Sequence, residues 1–539
     1  MRRARLAGMR TPALFVATAL FAGACSDQTI SDDPEDSIFV DDGKADDFYS
    51  TSAQEYLLEG KSTVVLDASY ASKTAAERLA AAQQLIDLKQ IAIAWFVTQY
   101  LVDKEDGDAN KAFGGFGGMA KAGEYIDLAV TPATDGLTFG FTFRQLAAGG
   151  KNMMSSLPVH ASGSKTVFSL DIGKPTNEQL AQLDTNNEWY RQAPYDAWDP
   201  TKVTADQKET IELSIAKEKA STDGFFDIAR LVEDGKLDVD VYFGWDYHDN
   251  FHLKHSSEFF TWLKGQGFTP PVASWDKLTR TSGAFTRTLS ANGKTIPIEV
   301  RLYFGKPGTE TDPDTDAGGK LLEADARNSL KVRDVVMYEG HSGPFYGFAL
   351  ADWRKTNEGD LDDSDMRVID MPKDRYQVVL AEGCDTYQIG EAFKDNPNKA
   401  GKNIDVITTT SFSNAASPAT TEDFLSAILA HDTAGRLRPQ PVSTLLTKMD
   451  SESVYAGFHS MYGMHGIDDD PKLVPFANVS KFGASCAANA DCGGPGNLCV
   501  AKKCTAACTD TSGCGTGYTC KSVASASTST IYGKACAKN

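Results

Sequence analysis

The 539-residue sequence predicts an α/β protein in three parts: an α+β region over 49–230, a mostly parallel sheet flanked by helices over 231–475, and a small disulfide-rich module over 484–539. After about Leu231, short runs rich in Val, Ile and Leu alternate with helical stretches, as the strands of a buried parallel sheet do. Before it, runs of alternating apolar and polar residues follow one long helical stretch. Eight of the ten cysteines crowd between Cys486 and Cys536. With 41% hydrophobic and 23% charged residues, the composition is that of a globular chain. Lys plus Arg number 53 and Asp plus Glu 73, a net charge of −20 that argues against nucleic acid or an anionic membrane surface as the main partner.

At the N-terminus, Arg2, Arg3, Arg5 and Arg10 precede the apolar run Ala13–Ala22 and then Gly23-Ala24-Cys25. This is the layout of a secretory signal over 1–24. A cysteine directly after small residues resembles a bacterial lipobox. The resemblance implies cleavage before Cys25 and lipid on its thiol, hence an exported chain anchored in the cell envelope, at the outer membrane or cell surface. The stretch 25–48 is dense in Asp and Glu, with Lys44 as its one cation, and reads as a solvated tether. No later run of 18 apolar residues suggests a membrane span.

In the α+β region, Thr74-x-x-Glu77 has the capping-box spacing and opens a helix that reaches Leu101, before the stop at Asp106-Gly107. Strands are expected at Tyr125–Val130, Leu137–Phe143 and Thr166–Ile172. The glycine-rich run Phe113–Gly118 follows no strand and reads as a loop, not a phosphate cradle. In the next region, strands are expected at Val239–Trp245, Ile296–Phe304, Val335–Tyr338, Gln377–Leu380 and Val406–Thr410. Helices are expected at His255–Lys264 and Thr421–Ala430. Chemistry in such sheets lies beyond the carboxyl ends of the strands.

Two strand ends carry reactive side chains: Val335-Val-Met-Tyr-Glu-Gly-His341-Ser-Gly and Gln377-Val-Val-Leu-Ala-Glu-Gly-Cys384-Asp. In a parallel sheet both emerge on one edge, so His341 and Cys384 could face one cleft. A thiolate is the nucleophile, and a nearby imidazole lowers its pKa and protonates the leaving group. Backbone N–H groups at Ser342, Gly343 and Cys384 are placed to form an oxyanion hole.

These two blocks resemble those of the caspase, gingipain and separase group of cysteine peptidases, over about Leu231 to His431. The resemblance implies a caspase-like sheet, Cys384 as nucleophile, His341 as general acid/base, Ser342 and Gly343 with the Cys384 N–H as oxyanion donors, and a peptide or protein substrate with no cofactor required. It also implies that the strand end near Ser411 lines the substrate cleft. Asp246 and Asp385 are the candidate carboxylates for a basic-residue pocket.

Other readings compete. The non-enzymatic alternative is a surface-binding or scaffold lipoprotein. Gly340-His-Ser342-Gly-Pro is similar to a nucleophile elbow, which would make Ser342 the nucleophile of a serine hydrolase with Asp405 and His459 or His465 as partners. His248, His252 and His255 would share one face if helical and form a weak metal candidate. Asp312, Asp314, Asp316 and Glu323 stand at positions 1, 3, 5 and 12 of an EF-hand-like loop that calcium could occupy, although Gly318 falls at position 7. The eight cysteines Cys486, Cys492, Cys499, Cys504, Cys508, Cys514, Cys520 and Cys536 read as four disulfides in a duplicated module. With 105 pairings open, the spacing alone selects none.

Overall fold

The structure, a computed structural model, describes residues 48–539 apart from 105–119, 122–126, 152, 180–197, 344–346, 385, 400, 411–412, 414–416, 453, 456–457 and 524–532. The leader, Cys25, most of the acidic tether and the glycine-rich run at 113–118 therefore lie outside the described residues.

Strands β1 (Tyr49–Ser50) and β2 (Ala53–Val65) lead into helix α1 (Ala75–Lys104). Then follow β3 (Ala120–Lys121), β4 (Asp127–Pro132), β5 (Thr138–Gly150), β6 (His160–Ser162), β7 (Lys165–Gly173) and β8 (Lys208–Lys217). Strands β2 to β8 form one antiparallel sheet in the order β3-β5-β2-β8-β7-β6, with β4 also on β5. The predicted capping box opens α1: the Thr74 N–H donates to Glu77 at 2.8 Å, and the Glu77 N–H donates to the Thr74 hydroxyl at 3.2 Å. Ala82, Leu85, Ile86 and Ile93 of α1 share a core with Phe139, Phe141, Phe143 and Phe168 of the sheet.

The larger sheet is built from β9 (Leu237–Phe243), β10 (Phe285–Ala291), β11 (Lys294–Phe304), β12 (Val335–Glu339), β16 (Gln377–Glu382), β17 (Ile404–Thr409) and β20 (Tyr462–His465). Between β12 and β16 run the three short strands β13 (Ser342–Gly343), β14 (Gly347–Ala349) and β15 (Asp360–Leu361), which form a sheet of their own. The hairpin β18 (Val454–Tyr455) and β19 (Phe458–His459) precedes β20. The order is β1-β20-β17-β16-β12-β9-β11-β10; the five central strands are parallel, and β10, β20 and β1 pair antiparallel. Both antiparallel edges escape the sequence reading, and so does the membership of β1. Although Tyr49 was expected to start a separate region, it pairs with Met464 in this second sheet. Gly463 allows that edge to close, because a Cβ there would lie 1.8 Å from the Phe48 ring. Across the two sheets, the Tyr387 hydroxyl donates to the buried Glu55 carboxylate.

The flanking helices are α2 (Phe251–Gly265), α3 (Asp316–Val332), α4 (Tyr387–Lys394), α5 (Ala419–Ile428) and α6 (Val442–Glu452). Side chains alternate across a strand, so each central strand feeds two cores. Val335, Met337, Val378 and Leu380 pack with Phe259 of α2, Phe424 of α5 and Leu446 of α6. Val336, Tyr338, Val379 and Ala381 pack with Leu322 of α3 and with Ile389 and Phe393 of α4. The same alternation sends the last residues of β12 and β16, Glu339 and Glu382, to the α2/α5 face.

The C-terminal module consists of two hairpins, β21 (Asn497–Val500) with β22 (Lys503–Ala506) and β23 (Tyr518–Ser522) with β24 (Lys534–Lys538). Its disulfides are Cys486–Cys499, Cys492–Cys504, Cys508–Cys520 and Cys514–Cys536. Each half joins its first cysteine to its third and its second to its fourth, so the duplication suggested by the spacing extends to connectivity. Leu498 and Ala506 pack against Phe225 and Val474. Four disulfides are compatible with an exported protein, and among the described residues no helix is long and apolar enough to cross a membrane. Proteolysis of the unreduced protein followed by mass spectrometry is expected to release these four linked pairs; any link crossing Thr505–Ala507 would contradict the duplicated pattern.

Candidate functional site

Strands β12 and β16 are adjacent and parallel, with Glu339 opposite Glu382. The register continues one step further, where the Gly340 N–H donates to the Glu382 carbonyl at 3.1 Å. His341 and Cys384, each two residues beyond a paired glutamate, therefore leave neighbouring strands on one edge of the sheet. The glycines between them permit this closeness. A Cβ on Gly340 would lie 2.7 Å from Gly244 Cα, and one on Gly383 would lie 2.8 Å from Ser342 Cβ and 2.9 Å from the Gly340 carbonyl oxygen. Cys384 is partly exposed and is the one cysteine among the described residues outside a disulfide.

The chain after β9 supplies a third group. His341 Nε2 lies 2.8 Å from Asp246 Oδ1. The other carboxylate oxygen, Oδ2, accepts the backbone N–H groups of His248, Asp249 and Phe251 at 3.1, 2.9 and 3.1 Å, so the loop into α2 wraps around this one side chain. Burial alone would raise the Asp246 pKa, but His341 and these amides outweigh it and hold the carboxyl well below its ordinary range. The His341 ring is fixed on its faces as well. Tyr247 stacks on it at 4.5 Å, Trp353 meets it edge-on at 5.9 Å, and the Arg354 guanidinium lies over the Tyr247 ring at 4.6 Å. Asp246, suggested by sequence as a substrate-binding carboxylate, is thus already engaged by the imidazole.

Beneath this edge lies a cavity of about 20 Å³, lined by Phe251, His252, His255, Glu339 and Glu382 together with Asp246 and His341. His255 Nδ1 bonds Glu339, and the Tyr462 hydroxyl donates to Glu382 at 2.9 Å. Burial disfavours the His255 imidazolium, yet the bond to Glu339 and its charge prevail and raise the His255 pKa. His252 is pushed down to about 4, chiefly by burial, and its neutral ring accepts the Asp246 N–H at Nδ1. Glu382 is pushed up to about 8, first by burial and then by Glu339, against the hydrogen bond from Tyr462. Glu422 is raised to about 7, again mainly by burial.

Several sequence expectations need correction. Helix α2 begins at Phe251 after Asn250, one turn before the expected start at His255. His248 lies in the loop before it, His252 faces Asp246 and His255 faces Glu339, so the three imidazoles do not converge. The acidic loop at Asp312 is the lead-in to α3: Thr315 caps Gly318 at 3.1 Å, Asp312 accepts from Gly308, Asp314 pairs with Lys355, Asp316 with Thr356 and Glu323 with Arg327. Gly318 is needed there because a Cβ would lie 2.1 Å from the Asp312 carbonyl oxygen, which explains a glycine off the calcium-loop position. Ser342 starts the β13–β14 hairpin, so there is no strand-to-helix elbow. Its proposed partner Asp405 lies at the opposite end of the sheet, at the start of β17 and bonded to Tyr376, while His465 pairs with Glu391. The His459 side chain, Asp385 and Ser411 lie outside what is described. Ser342 does sit directly after His341 and beside Gly383.

Among the described residues, two side-chain groups other than cysteines bring three metal-ligating atoms within 4.8 Å of one another: Asp246, His248 and His341, and Asp405, Asp469 and Asp470. Sequence reasoning missed the floor residues Glu339 and Glu382 and the Asp246–His341 bond. Part of this was visible: Glu-Gly occurs before both His341 and Cys384, and a period of two places both glutamates on one face.

The raised Glu382 pKa sets a pH dependence. Between about pH 4.5 and 8 the folded protein keeps a proton that the unfolded chain releases, so this group weakens the fold as pH rises. Glu382→Gln is expected to gain stability over the wild type through that window, by about 2–5 kcal/mol at pH 8 in urea unfolding. A difference independent of pH would contradict it. Compared with protein-family models, curated proteins and solved structures, the chain matches none of them.

Proposed function

We propose that the chain is a cysteine peptidase of the caspase-like kind, with Cys384, His341 and Asp246 as its working triad. The observation that supports the reading is the register of β12 on β16, from which His341 and Cys384 leave neighbouring strands at the carboxyl edge, with Asp246 from the loop after β9 bonded to the imidazole. Because Nε2 serves Asp246, the thiol proton passes to Nδ1. The Cys384 sulfur then bonds the substrate carbonyl carbon. His341 returns the proton to the leaving amine as the C–N bond breaks, and an acyl-thioester remains on Cys384. Water, deprotonated by the same nitrogen, attacks this ester, and the product acid leaves as the thiol is restored. Asp246 fixes the tautomer and stabilises the imidazolium. The N–H groups of Ser342 and Cys384 are the donors this reading assigns to the developing oxyanion, since Gly343 is engaged with Gly347 in the β13–β14 hairpin.

The cleft floor offers Glu339 and Glu382, and its described lining contains no Lys or Arg. The cavity is too small to admit a side chain, so this floor acts on a substrate group at the cleft mouth only through its field, which disfavours an anionic group there relative to a cationic or neutral one. The disulfide-rich module suits an oxidising compartment, and lipid on Cys25 would hold the enzyme at a membrane by a solvated tether, with exported or surface proteins as substrates.

A fluorogenic peptide library, with the residue before the cleaved bond varied, tests the reading. The wild type is expected to hydrolyse members with Lys, Arg or neutral residues in preference to Asp or Glu. Cys384→Ala is expected to abolish turnover, and His341→Ala and Asp246→Asn to lower kcat by roughly 10²–10⁴-fold. Turnover surviving in Cys384→Ala would overturn the mechanism. A folded wild type inert towards the whole library would favour a binding lipoprotein.

A further inference from the structure

We propose that Asp246, His248 and His341 form a zinc(II) site on the rim of the cleft, and that zinc there switches Cys384 off. The metal site stands on geometry alone; the switching rests on the reading of His341 as the base.

A carboxylate oxygen of Asp246 and one ring nitrogen each of His248 and His341 lie within 4.8 Å of one another. Two imidazoles and a carboxylate are a donor set that zinc favours, and a fourth position stays open to water. The surroundings hold these donors in place. Tyr247 packs against both imidazoles, with ring centroids 3.9 Å from His248 and 4.5 Å from His341, and leaves them beside each other at 5.6 Å. Three backbone N–H groups orient the Asp246 carboxylate through its second oxygen, which is the outer-shell support that metal ligands require. Because His248 is exposed, an ion from solvent reaches the group directly.

The other clusters differ in kind. The cysteine groups around Cys492 and Cys514 are closed in disulfides and cannot ligate. Asp405, Asp469 and Asp470 offer oxygen only, at the far end of the sheet, and so do not compete for zinc.

The switch follows from counting protons on one ring. In the active form, His341 carries its proton on Nε2, donated to Asp246, and keeps a lone pair on Nδ1 for the thiol. Zinc bonds the Nε2 lone pair, which places the remaining ring proton on Nδ1. That nitrogen then has no lone pair to accept the proton of Cys384. No electron transfer is involved, and removing the metal restores the tautomer.

The test uses the full disulfide-intact chain, stripped with chelator and titrated calorimetrically with Zn²⁺ near pH 7.5, in the wild type, Cys384→Ala and His248→Ala. One zinc per chain is expected in the first two, with at least tenfold weaker binding in His248→Ala. His248→Gln, which keeps a polar side chain at this exposed position, is expected to behave like the alanine variant. Zinc is also expected to slow iodoacetamide labelling of Cys384 at least tenfold in the wild type, but not in His248→Ala, whose labelling without metal matches the wild type. Equal zinc binding with and without His248, or none at all, overturns the site. His248-dependent binding that leaves Cys384 labelling unchanged establishes the site and overturns the switch. Failure of peptide hydrolysis alone bears on the proposed function and leaves the metal site standing.

Discussion

The pairing of β12 with β16 sets everything at the carboxyl edge of the large sheet. Glu339 stands opposite Glu382, and from that register the positions of Gly340, Gly383, His341 and Cys384 follow by counting. A one-residue slip of either strand would send its glutamate to the α3/α4 face and shift its reactive side chain out of step with the other. The register is held by burial on both faces: Val335, Met337, Val378 and Leu380 on one, and Val336, Tyr338, Val379 and Ala381 on the other. Two layers of helices thus fix the relative position of an imidazole and a thiol that no local sequence feature connects.

The same alternation that builds the cores creates the electrostatic character of the cleft. Glu339 and Glu382 occupy positions where an apolar residue would continue the strand, and each needs a partner to be tolerated. Glu339 obtains His255 from α2, and Glu382 obtains the Tyr462 hydroxyl from β20 and remains protonated at neutral pH. Asp246 stays ionised because three amides and His341 surround it. Removing one partner of such a buried pair leaves a charge without compensation, at a cost of about 3–5 kcal/mol. The edge carrying the proposed chemistry is therefore also a place where the fold is sensitive to pH.

Much of this was legible in the sequence. The capping box at Thr74 and Glu77 is a local rule and appears as expected. The runs at 335–338 and 377–380 fall inside β12 and β16, because strands buried on both faces leave an unbroken apolar signature. The clustering and spacing of the cysteines foretold a stapled, duplicated module. What could not be read depends on contacts distant in the chain. Asp246 stands 95 positions before His341, and only the turn of the loop into α2 shows that its carboxylate meets the imidazole. Helix α2 starts early because the loop before it is organised by Asp246, whose carboxylate accepts the Phe251 N–H. Strand β1 is two residues long, too short for a periodic signal, yet it closes the far edge of the sheet. His248, His252 and His255 looked like one cluster only while a single helix was assumed for all three.

The most direct test of the account is the pH dependence of iodoacetamide labelling at Cys384, followed by peptide mass spectrometry in the wild type, His341→Ala and Asp246→Asn. It needs no substrate and reads the thiolate itself. The account predicts that the wild-type thiol reacts well below the free-cysteine midpoint of about 8.5, that His341→Ala returns the midpoint to that value, and that Asp246→Asn moves it part of the way. Identical profiles in all three proteins would contradict it, because His341 and Asp246 would then have no hold on the thiol.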